Sequence, residues 1–260
     1  MRNLILMSIV GMCLGLSARV YADSITLTGT DQTDNMTMAQ TEWKIWGSYN
    51  VNYVGYKPKV DTKADNLYRS ALKFDVAGGV SGVTANQITS AKIYLYAKIA
   101  ATGISQSQFG LYRLRRTFDP DDFVQGAIVS GQTTWQCSEL SPTVVYWSEA
   151  GASSTTEDIY ATADATFTGP STTAYEWVQV DVTQYVKDVL NGANDYGWMV
   201  RAVDETTGNY IIYNGSTNVA GTIPYLVVEY SAVPEPMTVS MVVLVGGIIL
   251  PVMRHLKNRV

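Results

Sequence analysis

Between Ala91 and Ile99 the chain alternates. Ile93, Leu95, Ala97 and Ile99 fall on one face, and Lys92, Tyr94, Tyr96 and Lys98 on the other. A period of two describes a strand with one buried and one solvated face, as in an antiparallel sheet. Residues 70–76 place Leu72, Phe74 and Val76 inward, and Trp177-Val-Gln-Val-Asp-Val182 places Val178, Val180 and Val182 on one side. Residues 196–203 and 225–230 read as further apolar strands, and clusters of Gly, Asn, Asp and Ser punctuate the gaps. One segment departs from this period. Val182, Val186, Val189 and Leu190 recur at helical spacing, with Thr183 as N-cap and Gly192 as the stop. The expectation is an all-β domain: one antiparallel sandwich, one short helix closing an end, no tandem repeat and no second domain. Residues 35–53 carry no clear period, which leaves Trp43 and Trp46 as either core or exposed.

The two ends follow different patterns. Arg2, an apolar run over residues 4–16, and Ser17-Ala-Arg-Val-Tyr-Ala22 before Asp23 describe a secretory signal peptide over residues 1–22, cleaved between Ala22 and Asp23. Cys13 is preceded by Val10-Gly11-Met12, without the leucine of a lipidation site. At the other end Val233, Pro234, Glu235 and Pro236 precede an uncharged apolar stretch, residues 237–253. Residues 254–260 then carry Arg254, Lys257 and Arg259. The stretch is at the short end of the ~17–25 residues that cross a ~30 Å hydrocarbon layer as a helix. The basic end would stay on the cytoplasmic side.

The order Pro-Glu-Pro, apolar helix, arginine-rich end resembles the PEP-CTERM sorting signal of certain bacteria. That resemblance implies an exosortase-type membrane protease cutting near the motif and releasing or transferring what precedes it. A plain single-pass anchor is the alternative. Either way residues 23–232 are expected outside the cytoplasm, held at the inner membrane transiently or permanently and then at the cell surface or in the extracellular matrix.

Charge narrows the partners. The chain has 18 basic and 23 acidic residues. Setting aside Arg2, Arg19, Arg254, Lys257 and Arg259 leaves 13 basic residues against 23 acidic, Glu235 included, a net charge near −10. Such a surface does not suit nucleic acid. Past Cys13 only Cys137 remains, so no intrachain disulfide is expected and the core must hold the domain. The single histidine, His255, lies beyond the apolar stretch.

A second resemblance covers most of the domain. Tyr68-Arg-Ser-Ala-Leu-Lys-Phe-Asp-Val76, Ile88-Thr-Ser-Ala-Lys-Ile-Tyr-Leu-Tyr96 and Leu111-Tyr-Arg-Leu-Arg-Arg-Thr-Phe118 are similar to successive strands of the DNRLRE-type domain. Thr133-Thr-Trp-Gln136, Tyr146-Trp-Ser-Glu-Ala-Gly151, Asp158-Ile-Tyr160, Trp177-Val-Gln-Val-Asp-Val-Thr183, Asn194-Asp-Tyr-Gly-Trp-Met-Val-Arg-Ala202 and Pro224-Tyr-Leu-Val-Val-Glu-Tyr230 continue the order. The resemblance implies a jelly-roll β-sandwich. It also implies a surface role, since some members are carbohydrate-binding modules attached to alginate-degrading enzymes.

Lys57, Lys59, Lys63 and Arg69 resemble the basic positions by which alginate-binding relatives grip uronic carboxylates, through charge-assisted hydrogen bonds. Tyr56 and Tyr68, with Tyr49 and Tyr53, offer rings for sugar faces. An ordinary solvated loop is the other reading of this patch, and Arg69 and Arg201 read equally as structural arginines, each paired with a carboxylate. Arg113, Arg115 and Arg116 are expected to be satisfied by the acidic turn at 119–122. Asp119, Asp121 and Asp122 in that turn are weak candidates for a structural Ca²⁺, which takes about 6–8 oxygens. No other cofactor is expected. Trp135, Trp147, Trp177 and Trp198 read as packing, with one of them open to a sugar-stacking role.

No catalytic constellation stands out. Cys137 has no histidine partner, and no motif positions a pair of carboxylates. The expected protein is an exported, non-catalytic sandwich that binds extracellular polysaccharide, uronate-containing polymers among them, or associates with the matrix. The alternative is a structural or adhesive surface protein with protein partners. A polysaccharide-degrading enzyme is a remote third.

Overall fold

The computed structural model describes residues 22–28, 33–40, 51–57, 66–99, 107–119, 134–140, 143–206, 208, 210–215 and 218–231. The chain separates into Ser24–Tyr230 and a second unit of its two ends, Met1–Asp23 with Ser231–Val260. Nearly all of that second unit, including the apolar stretch at 237–253, lies outside the described residues. No described helix is long and apolar enough to cross a membrane.

The described residues form thirteen strands and two short α-helices. In order they are β1 (Ala22–Thr28), β2 (Thr33–Ala39), β3 (Val51–Lys57), β4 (Asn66–Phe74), α1 (Val76–Gly79), β5 (Ile88–Ile99), β6 (Gln108–Arg113), β7 (Cys137–Glu139), β8 (Val145–Tyr146), β9 (Ala165–Thr168), β10 (Glu176–Asp181), α2 (Thr183–Leu190), β11 (Trp198–Ala202), β12 (Tyr210–Asn214) and β13 (Tyr225–Ser231). The domain is all-β, and each strand pair of known register is antiparallel.

Two long strands organise the sheet. Along one edge β5 pairs first with β13, Tyr94 opposite Tyr225, and then with β12, Lys98 opposite Ile212; its other edge takes β10. Along one edge β4 pairs with β3 and then β11, and its other edge takes β2. A strand that serves two neighbours in succession turns the sheet around a common interior. Ile93, Leu95, Ala97 and Ile99 of β5 meet Leu72 and Phe74 of β4, Val180 of β10, Trp198 and Val200 of β11, and Leu226 and Val228 of β13 there. Each fully buried aliphatic or aromatic side chain contributes about 1.5–3 kcal/mol.

A second apolar cluster covers the opposite face of β4, β11 and β6. Ala71 and Met199 point into it, together with Met36 and Met38 of β2, and Trp135, Cys137, Trp147, Ala152 and Ile159 form its cover. Both faces of β4 and β11 are therefore largely buried, so even polar residues of β4 such as Arg69 and Ser70 leave water.

The helical segment differs from its sequence pattern in one detail. Thr183 is the first residue of α2, not its N-cap, and its hydroxyl accepts from the Ala91 N–H at 2.9 Å, tying the helix to β5. Tyr185, Val186 and Val189 are buried, and Gly192 ends the helix at φ +96°. α1 adds a second, one-turn helix that the periodicity did not predict, capped by the Asp75 carboxylate. Four residues carry too few apolar repeats to register.

A carboxylate joins these two helices. Asp195 accepts from the N–H groups of Val76 and Ala77 at 2.8 and 3.1 Å and from the Tyr185 hydroxyl at 2.9 Å. Burial, outweighing those hydrogen bonds, raises its pKa above the ordinary carboxylate range. The folded state therefore holds this proton more tightly than the unfolded chain does. Its contribution to stability is full below the ordinary pKa and is lost as pH rises through the raised value. Asp195→Asn should flatten that acid-side slope, read from urea midpoints across mildly acidic pH; an unchanged slope would reject the assignment.

Candidate functional site

The sequence patch around residues 57–69 is divided by the fold. Lys57 ends β3 with its side chain partly exposed, and Tyr56 beside it is half-buried. Lys59 and Lys63 lie outside the described residues, as does Tyr49. Tyr68 is buried, its ring 5.3 Å from that of Tyr53 and 6.3 Å from that of Tyr210.

Arg69 is 5 % exposed and turns toward the second cluster. Its Nε and Nη2 donate to the two carboxylate oxygens of Glu205 at 2.8 and 2.7 Å. Nη1 donates to the Gly151 carbonyl at 2.6 Å and the Ser153 hydroxyl at 2.8 Å, and the guanidinium lies over the Trp135 ring. That fork is committed to holding the 135–153 cover onto the sheet. Gly151 is needed at this junction: its φ is +77°, and a Cβ would run into the Trp135 ring at 2.5 Å. Arg201 also reaches Glu205, at 3.4 Å, so the structural reading of both arginines holds.

Among the described residues the other basic run has carboxylate partners far away in sequence, and Asp121 and Asp122 of the acidic turn lie outside them. Arg113 pairs with Asp164 and Asp188, at 3.1 and 2.9 Å, and Arg116 with the buried Asp158 at 3.3 Å. Asp119 is exposed, with its N–H donating to the Ser138 carbonyl. Among the described residues no group of three or more His, Cys, Asp or Glu side chains could hold a metal ion. Ala22 and Asp23 open β1, while Val233, Pro234, Glu235 and Pro236 fall outside the described residues.

What the fold brings together is an aromatic face on the outer side of β10, β5 and β13. Cross-strand partners share a face, so the register sets Tyr96 beside Trp177 and Tyr94 beside Tyr225. Tyr94 and Tyr225 stack at 4.5 Å with ring planes 7° apart. Tyr96 and Tyr175 stack at 5.1 Å, 17° apart. Trp177 lies between the two pairs, 5.0 Å from Tyr96 and 5.1 Å from Tyr225. Trp177 is on β10 and Tyr225 on β13, two strand spacings of about 4.8 Å away, so the indole must reach across β5. It meets Tyr225 at 67° and is 39 % exposed, an open ring flanked by a tyrosine pair on either side. Lys98 holds its ammonium 4.6 Å over the Tyr175 ring and makes no ion pair among the described residues.

Such a face combines apolar ring surface with hydroxyl, amide and ammonium donors, Gln179 being exposed beside Tyr94. That combination suits a sugar, whose C–H face stacks on an aromatic ring while its hydroxyls bond to the rim. Burial on the shared outer side raises the pKa of Tyr175 and Tyr225, with a smaller push from the neighbouring rings Tyr96 and Tyr94. These hydroxyls stay protonated and can donate.

In the sequence this face is the polar half of an alternating strand, and nothing in the alternation separates a solvated tyrosine from a binding one. The available signal was the Tyr94, Tyr96 and Trp177 spacing, which has meaning only once β10 is known to pair with β5. Of the four tryptophans left open, Trp135, Trp147 and Trp198 are buried and Trp177 is exposed.

Cys137 is buried in the second cluster, and loss of solvent pushes its thiol pKa up to about 11. It is therefore a packing residue with little thiolate at neutral pH. In a Cys13→Ser chain, Ellman's reagent should detect no thiol in the folded protein and one after unfolding in urea. Prompt labelling of the folded protein would contradict this burial. No protein-family model matches the chain, and the search of curated proteins returned no match.

Proposed function

We propose that this chain is an exported, non-catalytic protein whose DNRLRE-type jelly-roll β-sandwich, residues 23–232, binds extracellular polysaccharide. Uronate-containing polymers are among the ligands proposed. The observation that carries the reading is the open Trp177 ring between two stacked tyrosine pairs, with Lys98 at its side making no ion pair among the described residues. A single half-exposed ring is ordinary, but a contiguous patch of rings rimmed by polar groups marks an interaction site. The test is titration of the full-length protein, in detergent-containing buffer, against alginate and neutral polymers, with product analysis of each mixture. Binding that Trp177→Ala weakens by about tenfold or more supports the reading. No binding to any polymer by a folded protein overturns it, and released oligosaccharides overturn the non-catalytic part.

A second reading, a structural or adhesive surface protein, draws on another patch. Tyr146 and Tyr160 are 53 % and 44 % exposed, and the Arg115 guanidinium sits 3.9 Å over the Tyr160 ring. Tyrosine and arginine are enriched at protein interfaces. Retained self-association of the Trp177→Ala protein, with loss of it in Tyr160→Ala, would favour this reading.

Delivery is proposed to run through the ends: a signal peptide over residues 1–22, and a PEP-CTERM signal over residues 233–260 with an exosortase-type protease as processing partner. Mass spectrometry of the exported protein should give a first residue Asp23 and a last residue near Val233–Pro236. An intact Val260 in envelope fractions would favour a permanent anchor.

A further inference from the structure

Lys98 stands opposite Ile212 of β12, and Ile212 stands opposite Tyr53 of β3. Lys98, Ile212 and Tyr53 are each partly exposed, while their strand neighbours Ala97, Ile99, Ile211, Tyr213, Asn52 and Val54 are buried. All three side chains therefore lie on the same outer side. Across them the aromatic face of β10, β5 and β13 continues to Tyr53, and Tyr68 links Tyr53 to Tyr210 at ring distances of 5.3 and 6.3 Å. Tyr53, which sequence groups with Lys57, and the ring row around Trp177 are two ends of one outer side.

We propose that this whole surface is a single binding face and that it takes an interior stretch of a linear polysaccharide chain, rather than a free sugar or a chain end. The inference rests on the carbohydrate-binding reading and specifies its site and mode. From β10 to β3 the face crosses three strand spacings, about 14 Å, and from Tyr94 to Lys98 it runs about 13 Å along β5. One pyranose covers a fraction of that span. Charge points the same way. In a domain of net charge near −10, Lys98 at the middle of the face and Lys57 near its far end make no ion pair among the described residues. Ammonium groups so placed donate to oxygens along a chain, whether carboxylate or hydroxyl. Lys98 is then a specificity-determining contact, sitting where a chain passing from Trp177 to Tyr53 must cross.

The experiment is titration of the full-length protein with oligosaccharides of increasing length, from alginate and from a neutral β-linked glucan, followed by Trp fluorescence. The expected result is affinity that rises about tenfold or more with length and then levels off. Chemical reduction of the chain end should leave it unchanged. Lys98→Gln and Tyr210→Ala should each weaken long oligosaccharides and spare short ones, whereas Trp177→Ala weakens both. Lys98→Gln changes only a surface side chain, so it serves even if Tyr210→Ala fails to fold. A loss confined to the uronate series identifies carboxylate as the Lys98 partner, and a loss in both series identifies hydroxyl. Affinity independent of length, or long-chain binding untouched by Lys98→Gln while Trp177→Ala still weakens it, overturns the extended face and leaves the carbohydrate reading standing. If no saccharide alters the fluorescence of a protein with a folded circular dichroism spectrum, both fall together.

Discussion

Arg69→Ala is expected to lower the unfolding free energy by about 3 kcal/mol, the low end of the range for breaking a buried ion pair. Removing the guanidinium takes away both donors to Glu205 and leaves the Gly151 carbonyl and Ser153 hydroxyl without their shared partner. The low end applies because Arg201, 3.4 Å from Glu205, still offsets part of that carboxylate's charge. Arg69→Lys should recover little, because an ammonium cannot reproduce the two-pronged contact while also reaching Gly151. The loss should appear first in the cover. The Cys13→Ser, Arg69→Ala protein should therefore label at Cys137 under conditions where the parent does not. Urea denaturation gives the magnitude; a change below about 1 kcal/mol would show that the pair is a surface-like contact, and the clamp would be rejected.

The second large effect is a contrast between two tryptophans. Trp198→Ala should cost about 3–5 kcal/mol, the range for emptying an aromatic site in a packed core. Trp198 is fully buried against Tyr185 at 4.0 Å, and its indole N–H donates to Asp164 at 2.8 Å. Trp177→Ala should cost about 1 kcal/mol or less, the scale of a cross-strand pair on an outer face, since solvent already reaches its ring. Its effect should fall on binding instead, with polysaccharide affinity down by about tenfold or more. Thermal melts and glycan titrations of the two variants make the comparison. Equal destabilisation by both would make Trp177 a packing residue and remove the observation on which the binding face stands.

Much of the fold was legible because burial on one side leaves a period of two. The inward sets Leu72 and Phe74 of β4, Ile93 to Ile99 of β5 and Val180 of β10 entered the core as their alternation required, and Val76 and Val182 are buried just past the ends of their strands, Val76 in α1. The all-β class and a short helix at 183–190 followed from the same patterns. What stayed hidden has a common cause. Met199 and Ala71 looked like core residues and are, but of a second cluster whose cover is drawn from residues 135–159, a region with little regular structure and so no period to read. Arg69 could be a ligand contact or a structural pair, and Glu205, its partner, lies 136 residues away. Charge complementarity over that separation leaves no trace in local spacing.

The candidate site was the least legible part. Sequence grouped Lys57, Tyr56, Tyr68 and Arg69 because they are neighbours along the chain, yet adjacent residues on a strand point to opposite faces. The fold buries Tyr68, turns Arg69 into the second cluster and joins Tyr53 to Lys98 through Ile212. The face around Trp177 needed three strands from distant parts of the chain in one register.

By itself the sequence determined which residues must leave water, because alternation and helical spacing are local and the hydrophobic effect acts on them wherever they end up. It also set the acidic balance of the domain and left Cys137 as the one cysteine past Cys13. The tertiary structure alone decided which polar and aromatic residues meet. Strand order and register bring Tyr94, Tyr96, Tyr175, Trp177 and Tyr225 into one patch, and they choose Trp177 from four tryptophans as the one left open. A period of two says which side of a strand a ring is on; only pairing says which rings lie beside it.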